Sequence, residues 1–227
     1  MNKQDDARAV LREVHRYRIA NVESLEKSLV GIEVTNATQF LASRHKLRLK
    51  RHVSGLSYAF IPQRGLPSPT AIARSLAIHA FVCDSSQKSS LLNKHDLKKY
   101  FPDLFRSGLP RGYYVNTFES TPRLGLVRVD ADPDDIVRIV QLAHRLIQRH
   151  QKLSGFRSLM ATGQFEITFL VATCAKSRRL RLALDALSKS GVLFRSEAVP
   201  LLLDLVAPLP LTQFGALQIN SNHIPRR

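Results

Sequence analysis

The residues best suited to chemistry lie between Val34 and Pro62, in VTNATQFLASRHKLRLKRHVSGLSYAFIP. From Thr35 to Arg51 this stretch holds five Lys or Arg and no Asp or Glu. Asn36, Thr38, Gln39, Ser43 and Arg44 fall off the apolar stripe of Val34, Ala37, Phe40 and Leu41, so members of this set should face outward from a helix. An Asn or Gln amide pairs bidentately with adenine and a guanidinium with guanine, which is the chemistry for reading base edges in a major groove. Lys46, Arg48, Lys50 and Arg51 follow, and their cations suit phosphate or minor-groove contacts.

Helical spacing positions the first set up to Ser43, with Thr35 or Asn36 as the expected cap. Beyond Ser43 the period shortens to two: Leu47, Leu49 and Val53 alternate with Arg48, Lys50 and His52. Ser54-Gly55 signals a turn, and Leu56, Tyr58 and Phe60 resume the alternation until Pro62. Upstream, Asp5 to Tyr17 places Ala9, Val10, Val14 and Tyr17 on one helical face. Asn21 is the expected cap of a second short helix carrying Val22, Leu25 and Leu29, and Gly31 follows where the chain must turn. The order helix, helix, turn, helix, basic hairpin resembles the winged helix-turn-helix domains of bacterial regulators, over residues 1–64. Such a domain reused for protein contacts is the competing reading of the same segment.

Gln63 to Pro69, QRGLPSP, reads as a boundary, and residues 65–227 as a second, α/β domain. The spacing predicts a helix to about Val82, a polar loop from Asp84 to Asn93 and a short helix from Lys94 to Tyr100. Strands are expected over Pro110–Asn116 and Arg123–Asp130, joined by a turn-rich linker at Glu119 to Pro122. The next helix has Asp132 as cap, Pro133 at its first position and Asp134 and Asp135 in its first turn. Its apolar stripe is Ile136, Ile139, Val140, Ala143, Leu146 and Ile147, and Gly155 is the expected terminator. Glu166–Thr173 reads as a core strand, and Ser177–Ser190 as an amphipathic helix with Leu180, Leu182, Leu184 and Leu187. Leu193–Val206 reads as one or two last strands, and residues 207–227 as irregular. Helices of this length between strands imply parallel crossovers in a mixed sheet, with helices packed on both faces.

PRGYYV at 110–115, RLGLVRVD at 123–130 and FEITFLVAT at 165–173, set behind a winged helix, resemble the replication-relaxation family of plasmids and conjugative elements. The resemblance implies that the second domain is similar to a degenerate restriction-endonuclease-like core. An active core of that kind needs one acid on its first strand and an acid-x-lysine triplet on the next, holding magnesium and activating water. Here the first position is Arg111, and the triplet reads Arg128-Val129-Asp130 with no lysine following. Asp130 is then expected to be a strand-end or cap residue paired with Arg128, while Arg111, Arg128, Arg178 and Arg179 become candidates for gripping phosphate. No catalytic residue, metal or cofactor is expected. His144 and His150 are six apart and do not share a helix face as ligands, so both are read as surface or phosphate-facing histidines. Ser158 and Ser177 lack a His/Asp pattern, and no phosphate-cradling glycine loop occurs.

Composition sets the outer limits. The 227 residues carry a formal net charge of +16 with a sequence pI near 10.5, which points to a polyanionic partner. Both halves share the charge: residues 1–64 contribute +6 and the remainder +10. No apolar run approaches the ~20 residues that span a bilayer, no signal-peptide core is visible, and two cysteines suit neither a metal site nor a disulfide framework. The chain therefore reads as cytoplasmic, with no membrane partner. The expected function is a non-enzymatic double-stranded DNA-binding protein of a mobile element, as transcriptional regulator or replication or transfer accessory factor. Its partners would be duplex DNA and either a second copy, as a homodimer, or a replication or transfer protein. The alternatives are a module that recruits a relaxase or replication complex, and a metal-dependent nuclease.

Overall fold

The computed structural model describes residues 3–52, 54–62, 67–84, 89–117, 121–130, 132, 135–187 and 190–206. Helix α1 (Lys3–Tyr17) opens with Asp5 and Asp6 in its first turn and ends with His15 and Arg16, as the helix dipole favours. It buries Ala7, Val10, Val14 and Tyr17. Strand β1 (Ile19–Asn21) leads into α2 (Val22–Ser28), and the Asn21 side chain accepts from the Glu23 amide as the expected cap. Helix α3 (Val34–Ser43) starts directly after Glu33, so neither Thr35 nor Asn36 caps it; both lie in its first turn. Strands β2 (Arg48–Arg51) and β3 (Ser57–Phe60) form an antiparallel hairpin closed by a turn in which Gly55 adopts φ +88°. Val53 lies outside the described residues. β1 joins the far side of β3, giving a three-stranded sheet in the order β1-β3-β2.

Helix α4 (Pro69–Asp84) follows, then β4 (Ser89–Leu91), α5 (Lys94–Tyr100), β5 (Tyr113–Asn116) and β6 (Arg123–Asp130). After these come α6 (Ile136–Gln151), α7 (Ser154–Ala161), β7 (Phe165–Val171), α8 (Cys174–Asp185), β8 (Leu193–Ala198) and α9 (Leu201–Val206). The strands form a five-stranded mixed sheet in the order β4-β5-β6-β7-β8. β4, β5 and β6 pair antiparallel, while β6, β7 and β8 pair parallel because α6 with α7, and then α8, return the chain to the same end of the sheet. β7 lies inside the sheet between β6 and β8, and all seven of its residues are buried.

Alternation along the strands divides the core. Leu124 and Leu126 of β6 and Phe165, Ile167 and Phe169 of β7 pack with α5, α6, α7 and α8 on one face. Tyr114, Val127 and Leu170 face the other way, onto α4 and α9. That second cluster runs without a break into α1, α2, α3 and the small sheet, so α4 ties the first 60 residues to the larger sheet. Gly125 lets Tyr114 lie flat across β6: a Cβ there would sit 2.2 Å from the Tyr114 ring.

Several local expectations change. Ser89–Leu91 is a strand at the sheet edge within the expected 84–93 loop; residues 85–88 lie outside the described ones. Asp135, not Asp132, caps α6, its carboxylate accepting from the Arg138 amide. Pro133 and Asp134 lie outside the described residues, as do 63–66 of the boundary, 118–120 of the linker and the tail from 207. Gly155 does not end α6, which stops at Gln151; it lies in α7, against Leu104. Helix α8 begins three residues early because the Thr173 hydroxyl accepts from the Lys176 amide. It buries Leu180 and Leu184 but leaves Leu182 69% exposed. After β8 the chain forms the α9 helix, not a further strand. Among the described residues no helix is long and apolar enough to cross a membrane.

Candidate nucleic-acid interface

Helix α3 is held from behind by α1 and α2, so its outer face is set by which residues fill that contact. Val34, Ala37, Thr38 and Leu41 fill it, at i, i+3, i+4 and i+7. Thr38 is therefore 1% exposed, with its hydroxyl donating to the Thr35 carbonyl, and it cannot contact a partner. This corrects the outward placement of Thr38: the buried stripe is turned toward it, and Phe40 is left half-exposed. Asn36, Gln39, Ser43 and Arg44 are exposed as expected. Their freedom differs. The Asn36 amide donates to the Glu33 carboxylate at 2.6 Å, and the Ser43 hydroxyl donates to the Phe40 carbonyl at 2.8 Å. The Arg44 guanidinium rests 5.0 Å above the Phe40 ring, which aligns it along the helix.

His45 turns the chain out of α3 with φ 54°, and the Lys46 and Leu47 amides donate back to the Leu41 carbonyl. The strand that follows starts flush with the end of α3. All four residues of β2 are exposed, and Lys46 just before it is exposed too. Arg51 Nε donates to the Gly55 carbonyl at 3.0 Å and so braces the hairpin turn. The result is one surface of amide, hydroxyl and guanidinium groups on α3, continued by cations on β2. From Val34 to Arg51 no acid interrupts it.

The scaffold beneath depends on a histidine that the sequence reading passed over. His79 of α4 is fully buried, and its Nδ1 accepts from the Asn21 amide at 3.0 Å. The same Asn21 caps α2, so the imidazole sits under the joint between β1 and α2. Its ring lies 4.3 Å from that of Tyr17. Burial pushes the His79 pKa down to about 4, so the ring is neutral with its proton on Nε2.

The second set of candidates lies on separate elements. Asp130, at the end of β6, is not paired with Arg128. One oxygen accepts from Arg138 of α6 and the other from Lys176 of α8 at 3.1 Å. Lys176 is 2% exposed and also donates to the Asp132 carbonyl. Arg138 reaches the Asp132 and Asp135 carboxylates as well, each at 3.7 Å. Both Asp130 oxygens are thus engaged by cations. Arg128 is half-buried, and burial together with the neighbouring Arg74 lowers its pKa. Arg111 is exposed in the bend before β5, and Arg178 and Arg179 are exposed on α8. Lys176 was missed because 46 residues separate it from Asp130 in sequence. The only local signal was Thr173, whose cap places Lys176 in the first turn of α8.

Two further polar groups are buried: Glu166, to which the sequence assigned no role, and His150, which it placed at the surface. Glu166 on β7 is fully buried; it accepts from the Tyr114 hydroxyl and from the Asn116 amide at 3.4 Å. Burial and that carboxylate raise the Tyr114 pKa well above its usual value. His150 is not a surface residue: it is fully buried against Phe156 and Phe165. Its Nδ1 donates to the Leu146 carbonyl, and its Nε2 accepts from the Tyr113 hydroxyl, each at 2.6 Å. His144 is exposed. Among the described residues no group of three or more His, Cys, Asp or Glu converges as metal ligands. No protein-family model, curated protein or solved structure matches this chain.

Proposed function

We propose that the chain is a non-enzymatic double-stranded DNA-binding protein whose first 64 residues are a winged helix-turn-helix. The observation that carries this reading is the exposed face of α3 at Gln39, Ser43 and Arg44 continued by the cations of β2, along a segment with no acid of its own from Val34 to Arg51. The order α1-β1-α2-α3-β2-β3, with β1 completing the sheet, is that of a winged helix and supports it. So does the net charge of +16. In this reading α3 enters the major groove. Gln39 and Arg44 read base edges, and Asn36 joins them once its amide leaves Glu33. Lys46, Arg48, Lys50 and Arg51 hold the flanking phosphates. Residues 65–227 are a degenerate endonuclease-like domain, and the engagement of both Asp130 oxygens by Lys176 and Arg138 favours a structural role for that carboxylate. The biological setting, regulation or replication and transfer of a mobile element, follows from the family resemblance of the sequence motifs.

The test is the salt dependence of binding to a labelled duplex. The four cations Lys46, Arg48, Lys50 and Arg51 neutralise up to four phosphates, so the log–log slope should approach about −3.6 from this surface alone. Affinity that is unchanged between roughly 50 and 300 mM salt sinks the proposal.

A further inference from the structure

The α6, α7 and α8 layer is charged in one sense. Its exposed faces carry Arg145, Arg149, Arg157, Arg178, Arg179 and Arg181, and the single acid within the three helices is Asp185. None of these six arginines is in an ion pair among the described residues, whereas Arg138 of the same layer is held by Asp130 and its neighbours. α6 packs against both α7 and α8, so the arginines share one continuous helical layer. Along α6, Arg145 and Arg149 stand one turn apart on the same face, about 6 Å along the axis. This layer covers the face of the five-stranded sheet opposite the one on which α4, and beyond it α1–α3, are packed. It therefore points away from α3 and its hairpin.

We propose that this layer is a second, sequence-independent surface for duplex DNA phosphates, so that one molecule can hold two duplex segments on opposite sides of the large sheet. The surface stands on its own; only the two-duplex geometry rests on the α3 reading. Guanidinium forks pair bidentately with phosphate oxygens, and six of them facing solvent with one acid, Asp185, in the three helices leave mutual repulsion for a polyanion to relieve. An acidic membrane is the weaker fit: in these helices the only large apolar side chains left exposed are Val137 and Leu182, too few to insert.

The experiment holds a biotinylated random-sequence duplex of about 40 bp, roughly four helical turns, on beads, saturates it with protein and measures capture of a second, fluorescent duplex. Wild type should capture it. The Arg178→Ala/Arg179→Ala/Arg181→Ala variant should lose capture, and its binding slope should fall by about 2.7. That amounts to an affinity change between 50 and 200 mM salt about 40-fold smaller than for wild type. Its unfolding midpoint should not move, since the three side chains are exposed. Capture and slope equal to wild type overturn the inference and assign any bridging to two α3 surfaces of associated copies. Loss of binding to phosphatidylserine vesicles with duplex binding intact overturns it in favour of a membrane. If Gln39→Ala and Lys50→Ala are silent while the triple variant loses duplex binding, the α3 reading fails and this surface stands.

Discussion

Acid should loosen the support of the α3 surface through one residue, His79. In the unfolded chain its pKa is near 6.5, and in the fold it is about 4, because burial disfavours the charged ring. The unfolded state therefore binds the proton first as pH falls. The stability from this group is complete above about pH 6.5, declines as pH drops toward 4, and is flat below. At pH 5 the two values imply a loss of about 2 kcal/mol, and about 3 kcal/mol at pH 4. His150, also depressed by burial, adds a loss of the same sign. The isolating perturbation is His79→Gln, which cannot titrate. At pH 7 the variant is less stable than wild type, having lost the Tyr17 ring contact and the fit to the Asn21 amide, a deficit of roughly 1–3 kcal/mol. Between pH 7 and 5 that deficit should shrink by about 2 kcal/mol, because only wild type loses the His79 contribution. His150 and the carboxylates remain in both proteins and cancel in the difference. Urea unfolding followed by far-UV circular dichroism suits a chain with no Trp. A deficit equal at pH 7 and pH 5 would refute the account of a buried neutral imidazole. Because His79 holds the Asn21 amide, duplex affinity of wild type should also weaken below pH 6 more than that of the variant.

Four other outcomes follow from the same geometry. Gln39→Ala should lower discrimination at one base position by about 1–3 kcal/mol, whereas Lys50→Ala should weaken all duplexes alike and flatten the salt slope by about 0.9; a changed sequence preference in Lys50→Ala would reverse those assignments. Thr38→Val should leave base preference intact, because the side chain is buried; a footprint shifted by this change would contradict the helix register. Asp130→Ala strands the buried Lys176 and should destabilise by about 3–5 kcal/mol, with most of it recovered in Asp130→Ala/Lys176→Met. Magnesium- or manganese-dependent cleavage that vanishes in the Asp130→Ala protein would replace the non-enzymatic proposal with the nuclease one. Gly125→Ala should destabilise by at least about 1–3 kcal/mol in the same unfolding assay, since Tyr114 must leave its bonds to Glu166 and Thr168.

Local pattern alone determined most of the elements. The change of period at Ser43, the Asn21 cap and the glycine at 55 are signals within a few residues, and α2, α3, β2 and β3 follow from them. The exposed basic face was legible for the same reason, since a run without acids needs no partner to be recognised. The mixed sheet was legible because long amphipathic helices between strands force parallel returns. What the sequence left open were contacts between segments. Thr38 turned inward because α1 and α2 meet α3 along a stripe one position away from the one that hydropathy suggests, and a hydroxyl satisfied by its own helix can be buried there. Asp130 took Lys176 and Arg138 in place of Arg128 because parallel crossovers bring the starts of α6 and α8 to the C-terminal ends of β6 and β7. His79 and His150 look like ordinary polar residues in the chain; only packing against Tyr17 and Phe156 removes them from water and makes them neutral. Periodicity reports which side of an element is apolar, but pairing, burial and charge state belong to the neighbours that the fold supplies.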